Sequence, residues 1–220
     1  MRSALIPNPQ IPQGALNRRD RRKHATRQAL LDATRSLLAS RSLDALSVDE
    51  IAMSADVAKG TFYNYFADKD ALARELASHV RAQVEAAIAQ ANEGVEDPAA
   101  RIARAFCSLL KFSLNSPKQA AAMMRLFPHA TEPSAPINSG VRRDVAEGLA
   151  HGRIVAASEE IAIACIVGVF MAGVNRALDL SPIHTRTFAR DLGTILLHGL
   201  GLRRAQATGL MNSAIESILV

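Results

Sequence analysis

Three times along this 220-residue chain a helix-capping residue stands directly before a proline: Asp97-Pro98, Ser116-Pro117 and Ser181-Pro182. Asp and Ser accept hydrogen bonds from the free amides of a first helical turn. Proline suits the first helical position, where its missing N–H would have had no partner. The repetition predicts helices over about residues 97–115, 117–127 and 182–202. The apolar period elsewhere is also helical. Leu30, Ala33, Leu37 and Leu38 mark one face from Arg22 to about Ser40. Leu72, Leu76, Val80, Val84 and Ile88 mark one side of a long helix behind Asp68. Ser158, followed by Glu159 and Glu160, opens a helix over about 158–179, since carboxylates suit the positive helix end. A further helix covers about 140–150, and residues 128–139, with three prolines, form the main internal loop. No strand, repeat or heptad array competes with this pattern. The chain is predicted to be all-α, with about nine helices; the stretch after Arg204 stays open between one more short helix and a frayed end.

The segment from residue 47 to 66 is more specific. Ser47-Val48-Asp49-Glu50 is a capping box and starts a short helix that runs to about Ser54. Ala55-Asp56-Val57 reads as a turn, and a second short helix runs from about Ala58 to Tyr65. Ile51, Val57 and Phe62 have the spacing of a helix-turn-helix core, and Ala52 is small enough for close helix approach. Asp56 needs a left-handed backbone, which Asp tolerates better than most residues. Phe62 and Phe66 are expected in the core. The second helix then projects Lys59, Thr61, Tyr63, Asn64 and Tyr65 in other directions, while Gly60 permits close backbone approach to a surface. Both tyrosines of the chain and two of its seven phenylalanines fall within residues 62–66, which argues against chance placement.

The net charge of +5 has the same neighbourhood. Arg18, Arg19, Arg21, Arg22, Lys23 and Arg27 are opposed only by Asp20. Outside residues 18–27 there are 20 basic and 20 acidic side chains, so this is a neutral protein with one positive arm. Pro7, Pro9, Pro12 and Gly14 make residues 1–17 a flexible tail leading into it. Placed before a helix-turn-helix, such a run reads as a phosphate-binding or minor-groove arm.

The stretch LSVDEIAMSADVAKGTFYNYFADKDAL, Leu46 to Leu72, strongly resembles the DNA-binding domain of the tetracycline-repressor (TetR) family of bacterial transcriptional regulators. The resemblance covers about 50 residues, Lys23 to Leu72, and is most specific from Val57 to Phe66 with Asp68-Lys69. Two departures are visible: Asp56 where the family usually has Gly, and Ser47 where it usually has Thr. The resemblance implies a three-helix helix-turn-helix domain over residues 18–70 and a larger helical domain over 71–220 for effector binding and dimerisation. It implies that Thr61, Tyr63 and Tyr65 face DNA, and that Lys69 and Ser47 meet phosphate. Hydroxyls and helix N-termini suit phosphate oxygens independently. Lys59 and Asn64 are the candidates for base edges, since Lys donates to guanine and Asn pairs with adenine. Arg18, Arg19, Arg21, Arg22 and Lys23 would supply sequence-independent grip.

The implied partners are double-stranded operator DNA, a second copy of the chain and a largely apolar small molecule. A dimer has a physical motive, because two reading helices must meet major grooves roughly 34–36 Å apart. The expected dimer face combines Ile161, Cys165, Gly168 and Ala172 on one helix with Phe188, Leu192, Ile195, Leu196 and Gly199 on the next. The expected effector pocket draws on Phe106, Leu109, Leu110, Met123, Met124, Phe127, Phe170, Met171 and Asn175, since Met-rich walls adapt to apolar ligands. Arg125, Asn175, Arg176 or His79 are candidates to orient a polar group of that ligand. Ordinary core packing competes with both assignments.

Other classes find little support. The chain has no Gly-x-Ser-x-Gly elbow, phosphate-binding Walker loop or dinucleotide fingerprint. Its six histidines are never paired at metal-binding spacing, so neither catalysis nor a cofactor is expected. Cys107 and Cys165 make no disulfide framework and read as small core thiols of a cytoplasmic protein. The first 19 residues hold no signal-like apolar run, and the longest apolar run, Ile161 to Val174, is shorter than the roughly 20 residues a bilayer needs. Two functions remain open: a ligand-released repressor, and an effector-independent architectural or division-control protein of the same fold.

Overall fold

The computed structural model describes residues 17–219, so the expected tail lies, apart from Asn17, outside the described residues. Ten α-helices, one short 3-10 turn and no strand are found among the described residues. The first four helices are α1 (Arg18–Leu38), α2 (Val48–Ser54), α3 (Lys59–Tyr63) and α4 (Lys69–Ala91). They are followed by α5 (Pro98–Asn115), α6 (Pro117–Leu126), α7 (Ser139–Ala150), α8 (Glu159–Ala177), α9 (Pro182–Gly199) and α10 (Arg204–Ile218). The three capping-residue–proline pairs do open α5, α6 and α9. Of their caps, only Asp97 makes the side-chain bond, accepting from the Ala99 amide at 2.9 Å.

One element departs from expectation, and the stretch left open resolves to a helix. The first helix starts earlier than the expected Arg22: α1 begins at Arg18, capped by the Asn17 side chain, which accepts from the Asp20 amide at 2.9 Å. The last segment is a full helix. Its Ala207, Met211, Ala214, Ile215 and Ile218 are buried where α10 packs on α9 and α5. Gly193 of α9 makes room for that packing, since a Cβ there would lie 2.4 Å from the Met211 sulfur.

α5 is the centre of the larger domain and packs on every helix from α4 to α10. Its Phe106 stacks on Phe170 of α8, with ring centroids 5.4 Å apart and planes 14° from parallel. One cation is buried on this helix. Arg101 Nε donates to Asp144 Oδ1 at 2.8 Å, and another guanidinium nitrogen pairs with Glu147, both on α7. Its Nη1 donates to the Val95 and Glu96 carbonyls at 3.3 and 2.7 Å. Four partners compensate the loss of water around the charge.

Among the described residues one helix, α8, is long and apolar enough to cross a membrane by length and composition, longer than its uninterrupted apolar run suggested. Its Ala162, Ile163, Ile166, Val167, Phe170 and Val174 are buried in the bundle. Its other side carries Ile161, Cys165 and Ala172, all exposed. Cys165 is thus not a core thiol, whereas Cys107 is fully buried and its thiol is pushed up to about 12 by burial.

Candidate nucleic-acid interface and cavity

The small domain is built around Leu30, Leu31, Leu38, Leu46, Ile51, Phe62 and Phe66, all buried. Helix α2 starts at the expected capping box. The Ser47 hydroxyl accepts from the Glu50 amide at 3.2 Å, and the Glu50 carboxylate accepts from the Ser47 amide at 2.8 Å. The hydroxyl also donates to Glu50 at 2.8 Å, and Arg41 donates to the same carboxylate at 2.6 Å. Bonds from Arg41 and Ser47 hold the Glu50 carboxyl down at about 2. Helix α2 ends in a left-handed cap: Asp56 has φ +53°, the Val57 amide bonds to the Ala52 carbonyl at 3.0 Å, and the Asp56 amide to Met53 at 3.1 Å. This turn fixes the angle between α2 and α3.

Helix α3 is shorter than expected. It ends at Tyr63, with Asn64 as its cap, and the Phe62 carbonyl takes the amides of both Tyr65 and Phe66. Phe62 is fully buried, and the Tyr63 ring meets it edge-on at 5.4 Å while remaining 52% exposed. Lys59, Gly60, Tyr63 and Asn64 are exposed; Thr61 and Tyr65 are half-buried. Lys59 Nζ pairs with Asp49 Oδ2 of α2 at 2.8 Å, which raises the lysine above its usual range. Lys69, expected at phosphate, donates in the free protein to the carbonyls of Leu43, Asp44 and Leu46 at 3.1, 3.3 and 3.3 Å. Those bonds tie the start of α4 to the loop between α1 and α2.

The positive run divides in two. Arg18, Arg19, Arg21, Arg22 and Lys23 are exposed on the first turns of α1. Arg27 turns inward: Nε donates to Glu75 Oε1 at 2.8 Å, a second nitrogen pairs with Oε2, and the guanidinium lies 4.7 Å over the Phe66 ring. The arm therefore offers five cations to a polyanion, not six. Sequence reading missed this clamp because Glu75 is 48 positions away.

In the larger domain a cavity of about 310 Å³ lies between α4, α5, α6, α7 and α8. Of the expected pocket residues, Leu109, Met123, Phe170 and Met171 line it. Phe106, Leu110, Met124, Phe127 and Asn175 do not: Phe106 and Leu110 are fully buried core, and Asn175 is exposed on α8. None of the polar candidates Arg125, Asn175, Arg176 or His79 lines it either. Arg125 instead donates to the Ala39 carbonyl at 3.1 Å, joining α6 to the end of α1. The polar groups on the wall are Asn92, Glu85, Ser139, Arg143, Asn138 and Asp144. Burial pushes the Asp144 carboxyl above the usual range in spite of Arg101. One signal in the sequence pointed here: Arg101 stands within an otherwise apolar helix face and requires an acid on a neighbouring helix.

On the expected dimer face, Ile161 and Ile195 are 51% and 69% exposed, and Cys165, Ala172 and Gly199 are also exposed. Gly168, Phe188 and Leu192 are half-buried. Leu196 is a correction: it is buried in the protomer's own core, because the helical period turns it from Ile195 toward the core.

Residues 30–76 match the family described as bacterial regulatory proteins, tetR family. The chain is similar to the crystal structure of RolR in complex with resorcinol, with 26% sequence identity over 87% of this chain and 95% of the other and a TM-score of 0.57. It also shares its fold with a gamma-butyrolactone receptor (ArpA-like protein), at 16% identity over 89% of this chain and 99% of that one, with a TM-score of 0.65. The family match falls on the helix-turn-helix, and the structural matches continue through the larger helical domain. Residues 30–76 thus carry the helix-turn-helix of the tetR family of bacterial regulatory proteins, and the rest of the described chain shares the helical fold of the regulators it is similar to.

Proposed function

We infer that this regulator is a dimeric repressor that a small, mostly apolar molecule releases from its operator. The observation that carries the reading is α4. Its first two turns are bound to the small domain through Lys69 and Glu75, and its last turns with their cap, from Val84 to Asn92, form one wall of the cavity. A ligand that favours one position of this helix changes the placement of α3, and release then needs only different affinities for the two positions. The RolR–resorcinol and butyrolactone-receptor structures support a ligand-responsive role.

The exposed surface of α3 supports DNA contact by Lys59, Gly60, Tyr63 and Asn64, with half-buried Thr61 and Tyr65 at its edge and Ser47 and Lys69 flanking it. The five exposed cations of α1 add grip. The dimer reading is supported by exposed apolar surface. Among the described residues, four of the six large exposed hydrophobic side chains, Val155, Ile161, Ile183 and Ile195, sit on or beside α8 and α9. Joining two such faces removes them from water and sets two reading heads at a fixed spacing.

The test starts with genomic fragments captured by the purified protein and sequenced. Binding to the recovered operator is then followed by fluorescence anisotropy. Tyr63→Ala is expected to weaken all operators alike, and Asn64→Ala to change sequence preference more than affinity. The free protein is expected to sediment at about 47 kDa, twice the 23.6 kDa chain. A monomer at micromolar concentration rejects the dimer. Operator binding unmoved by a broad ligand screen favours the effector-independent reading.

A further inference from the structure

The cavity has a polarity that specifies what it takes. Its walls are largely apolar, with Met123, Met171 and Phe170 offering sulfur and ring surface suited to a flat ring. One end differs. Asn92 lies at the end of α4, where its Nδ2 donates to the Arg101 carbonyl at 3.3 Å. A carbonyl accepts only, so this bond fixes which way the amide faces. Asn92 Oδ1 is then left as a buried acceptor that no donor reaches. Arg101 also binds the Asp144 carboxylate, which lines the same cavity. Two acceptors, one of them orphaned, are thereby gathered around one residue.

A buried acceptor without a donor is costly, and a ligand hydroxyl removes that cost. An anionic ligand would meet the carboxylates of Asp144 and Glu85 on the wall, where the cation Arg143 is already paired with Asp144 at 3.6 Å. A cationic one would have to compete for Asp144 with Arg101, which lies behind the wall and already holds that carboxylate at 2.8 Å. The volume lies at the small end of ligand pockets, which hold roughly 300–1,000 Å³. We propose that this cavity binds small neutral ring compounds carrying hydroxyl donors, phenols above all, with Asn92 Oδ1 and the Asp144 carboxylate accepting from the hydroxyls. This rests on the effector reading above but names the ligand from the wall residues.

The test is calorimetric titration of the full chain, without DNA, with four probes: resorcinol, 1,3-dimethoxybenzene, benzoate and toluene. Resorcinol is expected to bind with a Kd in the millimolar range or tighter. Dimethoxybenzene, which has the ring and acceptors but no donor, and benzoate, the anion, are each expected to bind at least tenfold more weakly. Asn92→Leu is expected to weaken resorcinol by about tenfold and to leave toluene within about twofold. Val141→Trp, which fills the cavity from α7 and spares Asn92, is expected to abolish resorcinol binding. The proposal is overturned by no resorcinol binding to the wild-type protein, by dimethoxybenzene or benzoate binding as well as resorcinol, or by equal losses of resorcinol and toluene in Asn92→Leu. It is also overturned if Val141→Trp folds and still binds resorcinol with wild-type affinity. Operator release is measured separately: resorcinol binding with the operator complex intact upholds the ligand class and rejects release.

Discussion

Replacing Glu75 by Gln keeps the shape of the side chain and removes the charge that holds Arg27. The pair is a two-pronged one between α1 and α4, with side chains 40% and 25% exposed and the guanidinium also seated on Phe66. Fully exposed pairs contribute about 0–1 kcal/mol, whereas two parallel charge-assisted bonds contribute more. With the solvent screening of a 40% exposed Arg taken into account, the loss is about 1–2 kcal/mol. For a chain of this size each kcal/mol shifts the midpoint by roughly 2–4 °C, so Glu75→Gln is expected to melt about 2–8 °C below the wild type at pH 7. The pH dependence carries a definite sign. The bond from Arg27 holds the Glu75 carboxyl below its ordinary 4.5. A carboxyl lowered by folding stabilises fully above its unfolded value and loses that contribution as pH falls through the folded one. Gln does not titrate. The gap between the two proteins, followed by circular dichroism during heating, is therefore full at pH 7 and narrows below pH 4.5. A gap under about 1 °C at pH 7, or one equally wide at pH 3, refutes the clamp as a stabilising contact.

Asp49→Asn frees Lys59 from its 2.8 Å partner and is expected to tighten DNA binding by about two- to fivefold in anisotropy titrations; weaker binding speaks against a DNA role for Lys59. A Cβ at Gly173 would lie 2.4 Å from the Phe106 ring, so Gly173→Ala is expected to cost about 1–3 kcal/mol in urea unfolding. At Gly168 a Cβ meets nothing within 4 Å, so Gly168→Leu is expected to leave the protomer folded while shifting sedimentation toward monomer. An unchanged dimer removes Gly168 from the interface. Deleting residues 1–23 removes five exposed cations and is expected to flatten the log-affinity versus log-salt slope by up to about 4.5, with operator preference kept. Lost preference would make that segment a reader of sequence.

The reading head was legible because its signals are local. A capping box, a left-handed turn and a buried Phe62 lie within 16 residues, and each dictates its own geometry. Helix starts were legible wherever a cap preceded Pro. The start of α1 was not: Arg18 to Arg21 read as charge rather than as helix, although Asn17 is a good cap. The cavity was only half legible. Large apolar residues announce a core, but a cavity is the space the core leaves unfilled, and periodicity does not record that space. Asn92, Asp144 and Ile137 reach the wall from three separate elements, and only the packing of α4 and α7 around α5 brings them together. The face of α8 was readable as small and apolar, but whether it lay against α9 or open to solvent depended on tertiary placement, as exposed Cys165 and buried Leu196 illustrate.

Helix α4 runs 23 residues without a glycine or a proline. At 1.5 Å per residue it is a stiff rod of about 34 Å. Pivoting such a rod by about 5° at the cavity end displaces its other end by about 3 Å, several times the half-ångström window within which a hydrogen bond keeps its length. In the proposed dimer a two-fold axis relates the two rods, so opposed displacements change the spacing of the reading helices by up to about 6 Å against a groove repeat of roughly 34–36 Å. A ligand thus needs to move nothing far. The protein has the proportions of a pair of calipers, in which an adjustment near the hinge is read as a misfit at the tips.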